Sequence, residues 1–220
     1  MGGMFEEFVA AARGPWEAYV HHPWMTAIHT GTLTIDQFAF FVAHDMPYQI
    51  DFMHALTLAA TRSEEPDTWL RIRAAIAAEG KFEEGLLADL GTSWTYDRWS
   101  AGPAREGYMN HLSRVALEGT PGDIAAALLP CAAGFTEAMS TKASEAATQP
   151  LFARWLAFYE NPDQAALSTD LVGVFEREMA RTGGGDQAAA QQILIRSLHH
   201  QIAVFDAAWR ISDDWPTYQP

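Results

Sequence analysis

Residues 129–137, LPCAAGFTE, place the only cysteine of the chain, Cys131, directly after a proline inside a predicted apolar helix. Pro130 has no N–H to donate to the carbonyl of Ala126, and its ring crowds that turn of the helix. A helix running from about Asp123 to Ala146 should therefore kink one residue before the thiol. The kink indicates either a pocket that holds a reactive thiol or, as for most lone cysteines, a small buried side chain.

The remainder of the chain shows the same helical character. Ala-rich stretches with apolar residues three and four positions apart recur throughout, whereas runs of alternating β-branched residues are missing. We therefore predict an all-α helical bundle and, because no linker or shift in composition divides the chain, a single domain over residues 1–220. Cap and breaker residues place the helices at about 4–20, 23–29, 35–62, 66–90, 102–118, 122–146, 150–160, 163–182 and 186–212.

Local signals define some of these boundaries. Thr34 followed by Gln37 is a capping-box pattern at the start of the third helix, and Gly31 ends the helix before it. The three consecutive glycines at 183–185 predict a turn. They do not predict a phosphate-binding loop, because no strand precedes them and no Lys-Ser/Thr pair follows.

The composition predicts an acidic, soluble protein. The chain has 28 Asp and Glu residues against 14 Lys and Arg residues, a formal net charge of −14, so nucleic-acid backbones and anionic membranes should repel it. A single cysteine excludes an intramolecular disulfide and fits a reducing compartment. The N-terminus lacks the pattern of a signal peptide, and no apolar run is long enough to span a membrane. We therefore expect a cytoplasmic protein that binds neither nucleic acid nor membrane.

A carboxylate stands out in the third predicted helix, where residues 41–52 read FVAHDMPYQIDF. Asp45, Tyr48 and Phe52 lie at positions i, i+3 and i+7 and hence on one face. An Asp on an apolar face costs desolvation unless it meets donors, so Asp45 is either at the surface or directed at a polar partner inside. Pro47 predicts a second local distortion of the backbone.

The last predicted helix carries a polar residue on an aromatic face. Gln201, Phe205 and Trp209 follow one another in steps of four. A buried glutamine must find hydrogen-bond partners, and a flat heteroaromatic ligand would supply them. The alternative is a helix edge that packs its aromatic rings while Gln201 faces water.

Two catalytic classes are disfavoured by spacing. A helical di-metal site needs Glu-x-x-His pairs or inward carboxylates at helical repeats. No Glu-x-x-His occurs, although His44, His111, His199 and His200 accompany many carboxylates. A serine nucleophile of the hydrolase type needs a Gly-x-Ser-x-Gly elbow on a strand, and the sequence offers neither. We therefore expect no metal and no cofactor.

Several segments, in this order and spacing, resemble the TenA/THI-4 family, also called thiaminase II or aminopyrimidine aminohydrolase. They are Pro-Trp at 15–16, His-Pro-Trp at 22–24, Gly-Thr-Leu at 31–33, 41–52 around Asp45, Tyr-Met-Asn-His-Leu at 108–112, 128–137 around Cys131, 155–159 and 201–209. The resemblance covers nearly the whole chain. It implies an all-helical, haem-oxygenase-like fold and a homotetramer.

The resemblance also implies an activity. The family hydrolyses 4-amino-5-aminomethyl-2-methylpyrimidine, or thiamine, to 4-amino-5-hydroxymethyl-2-methylpyrimidine, which is salvaged into thiamine. Cys131 resembles the nucleophile that adds to the pyrimidine ring. Asp45 resembles the carboxylate that accepts a hydrogen bond from the exocyclic amine, much as carboxylates accept from the amine of cytosine. Tyr48, Tyr108 and Tyr159 match positions that line and hydrogen-bond the pocket.

Two positions depart from the family pattern. Phe135 stands where a tyrosine is usual, which keeps the stacking face and removes the hydroxyl. Gln201 stands where the family usually has a catalytic glutamate, and a glutamine can donate to a ring nitrogen but cannot deliver a proton. Loss of positioned acid catalysis commonly costs about 10² to 10⁴ in rate.

Three accounts of Gln201 remain open at this point: a slower aminohydrolase, an enzyme for a related substrate, or a pocket that only binds a pyrimidine-like ligand. A carboxylate from another helix is a possible replacement for the missing acid. A metal-dependent oxidase or haem-handling protein on the same fold is a further alternative, motivated by the histidines. The older description of the family as transcriptional activators implies DNA contact, against which the net charge of −14 argues.

Overall fold

The computed structural model describes residues 3–91, 101–140 and 149–217, and every regular element within these ranges is helical. This confirms the all-α prediction. The helices are α1 (Met4–Ala11), α2 (Arg13–Val20), α3 (Pro23–Thr30), α4 (Ile35–Ala60), α5 (Pro66–Asp89), α6 (Pro103–Glu118), α7 (Pro121–Leu129), a π-helical segment (Pro130–Gly134), α8 (Phe135–Ser140), α9 (Pro150–Tyr159), α10 (Pro162–Ala180) and α11 (Gly184–Arg210).

Most predicted boundaries agree with the observed helices, and the differences have local causes. The predicted helix 4–20 is divided at Ala12, which caps α1 and precedes α2. The turn predicted at 183–185 is wrong for its last two residues, because α11 begins at Gly184. The carboxylate of Asp186, in the first turn, interacts favourably with the positive end of the helix dipole. The Asp186 N–H also donates a hydrogen bond to the carbonyl of Gly183. The predicted helical residues 141–146 lie outside the described residues.

The capping signals act as expected. Thr34 Oγ1 accepts from the Gln37 N–H at 3.2 Å, while the Gln37 side chain accepts from the Thr34 N–H at 3.0 Å. Gly31 ends α3 with φ = 68°, a left-handed conformation that favours glycine. These caps set the start of α4, the helix that carries Asp45.

The distortion predicted at Pro130 takes the form of a π-helical turn. Because proline lacks an N–H, the usual bond to the residue four positions earlier is lost, and the wider π turn accommodates the change. Such turns occur often at functional sites, and this one contains Cys131. Pro47 behaves differently, since α4 continues through it without interruption.

An aromatic cluster holds α3, α4, α9 and α11 together. Trp24 is fully buried and its ring centroid lies 4.7 Å from Phe41, 5.1 Å from Phe205 and 5.6 Å from Trp155. Beside it, α7 is buried on nearly all sides, as a helix that is apolar all round requires. No helix in the described part of the chain is long and apolar enough to cross a membrane.

Candidate active site

One small cavity gathers side chains from six helices and the π-helical segment. It is lined by Tyr19, Phe41, Asp45, Glu79, Glu83, Cys131, Phe135, Tyr159, Gln201 and Phe205. Five of the seven predicted site residues lie in this lining; the other two, Tyr48 and Tyr108, are fully buried within the described structure and connect to it through Gln201. The structure thus brings together the residues that the sequence singled out.

Cys131 is a partly buried thiol in an acidic environment. Burial raises its pKa well above the ordinary value, and the negative charges of Glu79 and Asp45 raise it further. A hydrogen bond with the hydroxyl of Tyr48 and the charge of Arg105 act in the opposite direction. The thiol is therefore protonated near neutral pH, and it needs a base to become a nucleophile.

Asp45 is directed inward and has polar partners there, as its position on an apolar face requires. Its Oδ1 lies 3.1 Å from Nη1 of the buried Arg105, and its Oδ2 accepts from Nε2 of Gln49 at 3.2 Å. The guanidinium carbon of Arg105 lies 5.2 Å from the centroid of the Tyr48 ring. Burial raises the pKa of Asp45, while Arg105 and Gln49 counteract the rise. The surface alternative for Asp45 is thereby excluded.

Two further carboxylates, which were not predicted from the sequence, share the cavity. The Tyr159 hydroxyl donates to Oε1 of Glu79 at 2.5 Å, and Nε2 of Gln49 donates to Oε2 of Glu83 at 2.7 Å. Burial raises the pKa of Glu79 to about 7, with the Tyr159 hydrogen bond opposing and the Asp45 charge adding to the rise. Burial and the charges of Asp45 and Glu79 raise the pKa of Glu83 well above its ordinary value.

A sequence signal for these carboxylates was present. In α5 the buried residues Trp69, Ile72 and Ile76 are three and four positions apart, and Glu79 and Glu83 continue the same series. Carboxylates on an apolar stripe are costly unless they meet polar partners inside. The criterion that identified Asp45 therefore applies to α5 as well.

A network of hydrogen-bonded hydroxyl and amide groups lies behind the cavity. Tyr48 donates to the Tyr108 hydroxyl at 3.1 Å, and Nε2 of Gln201 donates to the same hydroxyl at 3.4 Å. Gln201 is only 5% exposed, so the interpretation in which it faces water is wrong. Trp209, at 39% exposure, does not extend the aromatic face into the site. His200 stacks on Tyr108 outside the cavity lining.

The aromatic wall depends on one glycine. A Cβ at Gly134 would lie 2.9 Å from Cε1 of Tyr19, so only glycine lets this ring reach the cavity. The Tyr19 hydroxyl is buried and has no hydrogen-bond partner among the described residues. Phe135 packs edge-on against Tyr159 with centroids 4.9 Å apart. The cavity thus presents a free hydroxyl to any ligand that it holds.

The raised pKa of Glu79 predicts a pH-dependent cost to stability. The pKa of the Glu79 carboxyl is about 7 in the folded chain, whereas its ordinary value is 4.5. Such a group stabilises the fold most when it is protonated, and this contribution is lost as pH rises through about 7. Glu79→Gln, which does not titrate and can still accept from Tyr159, should therefore gain stability relative to the wild type between about pH 4 and pH 8, by up to about 3 kcal/mol.

Urea unfolding at several pH values measures this difference. Glu84→Gln, on the exposed face of α5, controls for the loss of one negative charge from the same helix. A stability difference between Glu79→Gln and the wild type that does not change with pH would contradict the prediction.

No group of three or more His, Cys, Asp or Glu side chains arranged to hold a metal ion occurs in the described ranges. The cavity carboxylates instead pair with Arg105, Gln49 and Tyr159. Acid–base and nucleophilic chemistry is what this set of side chains offers.

Several proteins of known name resemble the chain. It is 29% identical over 161 residues to the aminopyrimidine aminohydrolase of Bacillus subtilis strain 168, covering 70% of this chain and 67% of that protein. It is 23% identical over 202 residues to the aminopyrimidine aminohydrolase of Halalkalibacterium halodurans, covering 88% and 90%. The match to the hydroxymethylpyrimidine/phosphomethylpyrimidine kinase THI20 of Saccharomyces cerevisiae is 26% identical over 170 residues, 72% of this chain but 31% of the yeast protein.

Solved structures show the same fold. A TenA homologue from P. horikoshii OT3 superimposes with a TM-score of 0.84 at 19% identity over 95% of this chain and 99% of that one. A domain with a heme oxygenase-like fold from Shewanella denitrificans OS217 gives a TM-score of 0.70 at 11% identity over 97% and 98%. The predicted haem-oxygenase-like fold is therefore confirmed. A family model described as TENA/THI-4/PQQC matches residues 9–211, and the chain belongs to this family.

Proposed function

We propose that the protein hydrolyses 4-amino-5-aminomethyl-2-methylpyrimidine to 4-amino-5-hydroxymethyl-2-methylpyrimidine, a product that serves thiamine salvage. The observation that carries the proposal is that Cys131 and Asp45, a nucleophile and a carboxylate from distant parts of the sequence, line the same small cavity. The relatives in B. subtilis and H. halodurans named aminopyrimidine aminohydrolase support the same reaction class.

The aromatic side chains of the cavity suit a flat ring. Phe41 and Phe205 stack with centroids 4.7 Å apart and form one aromatic wall, and Phe135 lies beside them. A pyrimidine can stack against such a wall, because offset and edge-on contacts between aromatic rings are favourable.

Polar groups around the cavity match the edges of an aminopyrimidine. Asp45 accepts a hydrogen bond from the 4-amino group, the pairing that carboxylates make with the amine of cytosine. The unpartnered hydroxyl of Tyr19 supplies a further hydrogen bond. Gln201 uses one amide hydrogen on Tyr108 and has a second for a ring nitrogen.

The thiol performs the chemical step. The Cys131 sulfur adds to the ring carbon that lies next to the methylene-bearing carbon and carries no amino group, and the amine on the methylene then departs. Water adds to the methylene carbon, and the sulfur leaves the ring. The Tyr48 hydroxyl and the positive charge of Arg105 both lower the thiol pKa and so favour the thiolate during the attack.

Product analysis tests the proposal. The purified protein is incubated separately with aminomethylaminopyrimidine and with thiamine, and hydroxymethylpyrimidine is measured by mass spectrometry. We expect product from the aminomethyl compound, and the amount formed from thiamine ranks the two substrates. Calorimetry with the aminomethyl compound accompanies the assay. Tight binding without product would instead support the second candidate, a diverged member that holds the ligand because Gln201 replaces the usual acid.

The assembly and location of the protein are also proposals. The family resemblance implies a homotetramer, and the single cysteine, which fits a reducing compartment, supports a cytoplasmic location. Large apolar side chains that are exposed in the single chain, such as Leu117 at 68% and Leu70 at 48%, are available for contacts between subunits. Light scattering measures the number of subunits directly.

A further inference from the structure

We propose that Glu79, rather than a residue of α11, is the catalytic acid and base of this site and moves the proton among the Cys131 thiol, the departing amine and the attacking water. This inference rests on the proposed function. It names a residue that the family resemblance did not identify, and it explains how the site can act with a glutamine at position 201.

The position of Glu79 suits this task. It lines the cavity together with Cys131 and Gln201, although it comes from a different helix. The Tyr159 hydroxyl holds Oε1 at 2.5 Å and so fixes the carboxyl group. In the described part of the chain no second side chain is hydrogen-bonded to Glu79, which leaves Oε2 available to the thiol and the substrate.

The electrostatics couple Glu79 to the thiol. Among the charged groups around Cys131, Glu79 has the largest effect on the thiol pKa, which it raises. The carboxyl itself has a pKa of about 7, so both of its protonation states are populated near neutral pH. A general acid–base works best with a pKa near the working pH, because it can then both accept and donate.

The other candidates in the cavity are less suitable. Asp45 is paired with Arg105 and Gln49, and its proposed partner is the ring amine. Glu83 is 1% exposed, and its raised pKa holds the proton tightly. Gln201 has no acidic proton to give.

The proposed steps balance in atoms and charge. As the S–C bond forms, the thiol proton moves to the Glu79 carboxylate; the ring double bond shifts to the methylene carbon, and the exocyclic C–N bond breaks. Glu79 gives its proton to the leaving nitrogen, which departs as ammonia. Water then forms a C–O bond at the methylene carbon and gives a proton to Glu79. The S–C bond breaks, and the sulfur recovers its proton from Glu79.

Kinetics of Glu79→Gln test the role of the carboxyl. The variant should lose about 10²- to 10⁴-fold in kcat on the aminomethyl compound, with a KM within about threefold of the wild type. For the wild type we expect kcat/KM to rise with pH through about 7, because Glu79 must be ionised to accept the thiol proton. That rise should be absent in Glu79→Gln and present in the control Glu84→Gln.

Other ionisable or charged groups surround the same cavity, and all of them are unchanged in both variants. They are Tyr19 on α2, Asp45 on α4, Glu83 on α5, Arg105 on α6, Cys131 on the π-helical segment and Tyr159 on α9. A pH dependence that is lost in Glu79→Gln alone therefore belongs to Glu79.

Alkylation of the thiol by iodoacetamide gives a readout that does not depend on turnover. The chain has one cysteine, so the reaction reports on Cys131 alone. Removing the negative charge of Glu79 should lower the thiol pKa, and the midpoint of the pH–rate curve should shift to lower pH. An unchanged midpoint would overturn the inference, because Glu79 would then lie too far from the sulfur.

The outcomes separate the inference from the proposed function. No product with the wild type would overturn the proposed function and the inference with it. Product with the wild type, combined with turnover by Glu79→Gln within about threefold and an unchanged pH profile, would overturn the inference alone.

Discussion

Replacing Cys131 with serine should lower the release of hydroxymethylpyrimidine by about 10⁴-fold or more, because the nucleophile is lost. A serine hydroxyl is far less acidic than a thiol. The Tyr48 hydroxyl and the charge of Arg105 favour ionisation at this position, but the cavity also holds three carboxylates, which oppose it. The smaller hydroxyl fits the π-helical segment, so the fold should be retained.

Two controls distinguish lost chemistry from lost structure. Cys131→Ser should bind the aminomethyl compound with wild-type affinity in calorimetry, since Asp45 and the aromatic walls are unchanged. Ser140→Ala, on the exposed end of α8, should leave both binding and turnover unaltered. Turnover by Cys131→Ser within about tenfold of the wild type would contradict the assignment of Cys131 as nucleophile.

Replacing Arg105 with methionine should destabilise the protein by about 3–5 kcal/mol, because the change leaves a buried carboxylate without its cation. Arg105 is 1% exposed and lies 3.1 Å from Asp45, which is only 13% exposed at its side chain. Without the guanidinium, the pKa of Asp45 rises further, since Arg105 is the largest influence that lowers it. Urea unfolding near neutral pH measures the loss.

The pH dependence of this loss of stability tests whether the charge of Asp45 causes it. At acidic pH Asp45 is protonated in both proteins, so the destabilisation by Arg105→Met should shrink as pH falls. Arg114→Met removes an exposed arginine from the same helix, where an ion pair with Glu118 contributes little, and should change stability by less than about 0.5 kcal/mol. Equal losses of stability in the two variants would show that the ion pair with Asp45 does not account for the effect of Arg105→Met.

The features of the site that lie within a single helix could be predicted from the sequence. The position of Asp45 on an apolar stripe and of Cys131 after Pro130 both follow from spacing and from the missing N–H of proline. Their meeting in one cavity was expected only from the family resemblance, because the angle and contact between helices depend on side chains that are distant in sequence. The π-helical form of the Pro130 distortion likewise needed the structure.

Glu79 and Glu83 could not be assigned to the site from the sequence, for a different reason. Their spacing in α5 was readable, but their significance depends on partners from α4 and α9, namely Gln49 and Tyr159. Three carboxylates therefore line the cavity, of which only Asp45 was predicted from the sequence. Gly80 leaves room for the Gln49 side chain, since a Cβ there would lie 2.5 Å from Oε1 of Gln49.

The central claim is that water replaces an amine on the methylene carbon of an aminopyrimidine in the Cys131 cavity. The most direct test is to run the reaction in ¹⁸O-labelled water and to measure both products, the pyrimidine by mass spectrometry and the ammonia by an enzymatic assay. We predict hydroxymethylpyrimidine that carries one labelled oxygen, with one ammonia for each molecule formed. Intact aminomethyl compound and no ammonia, in a protein that still binds the ligand, would contradict the account.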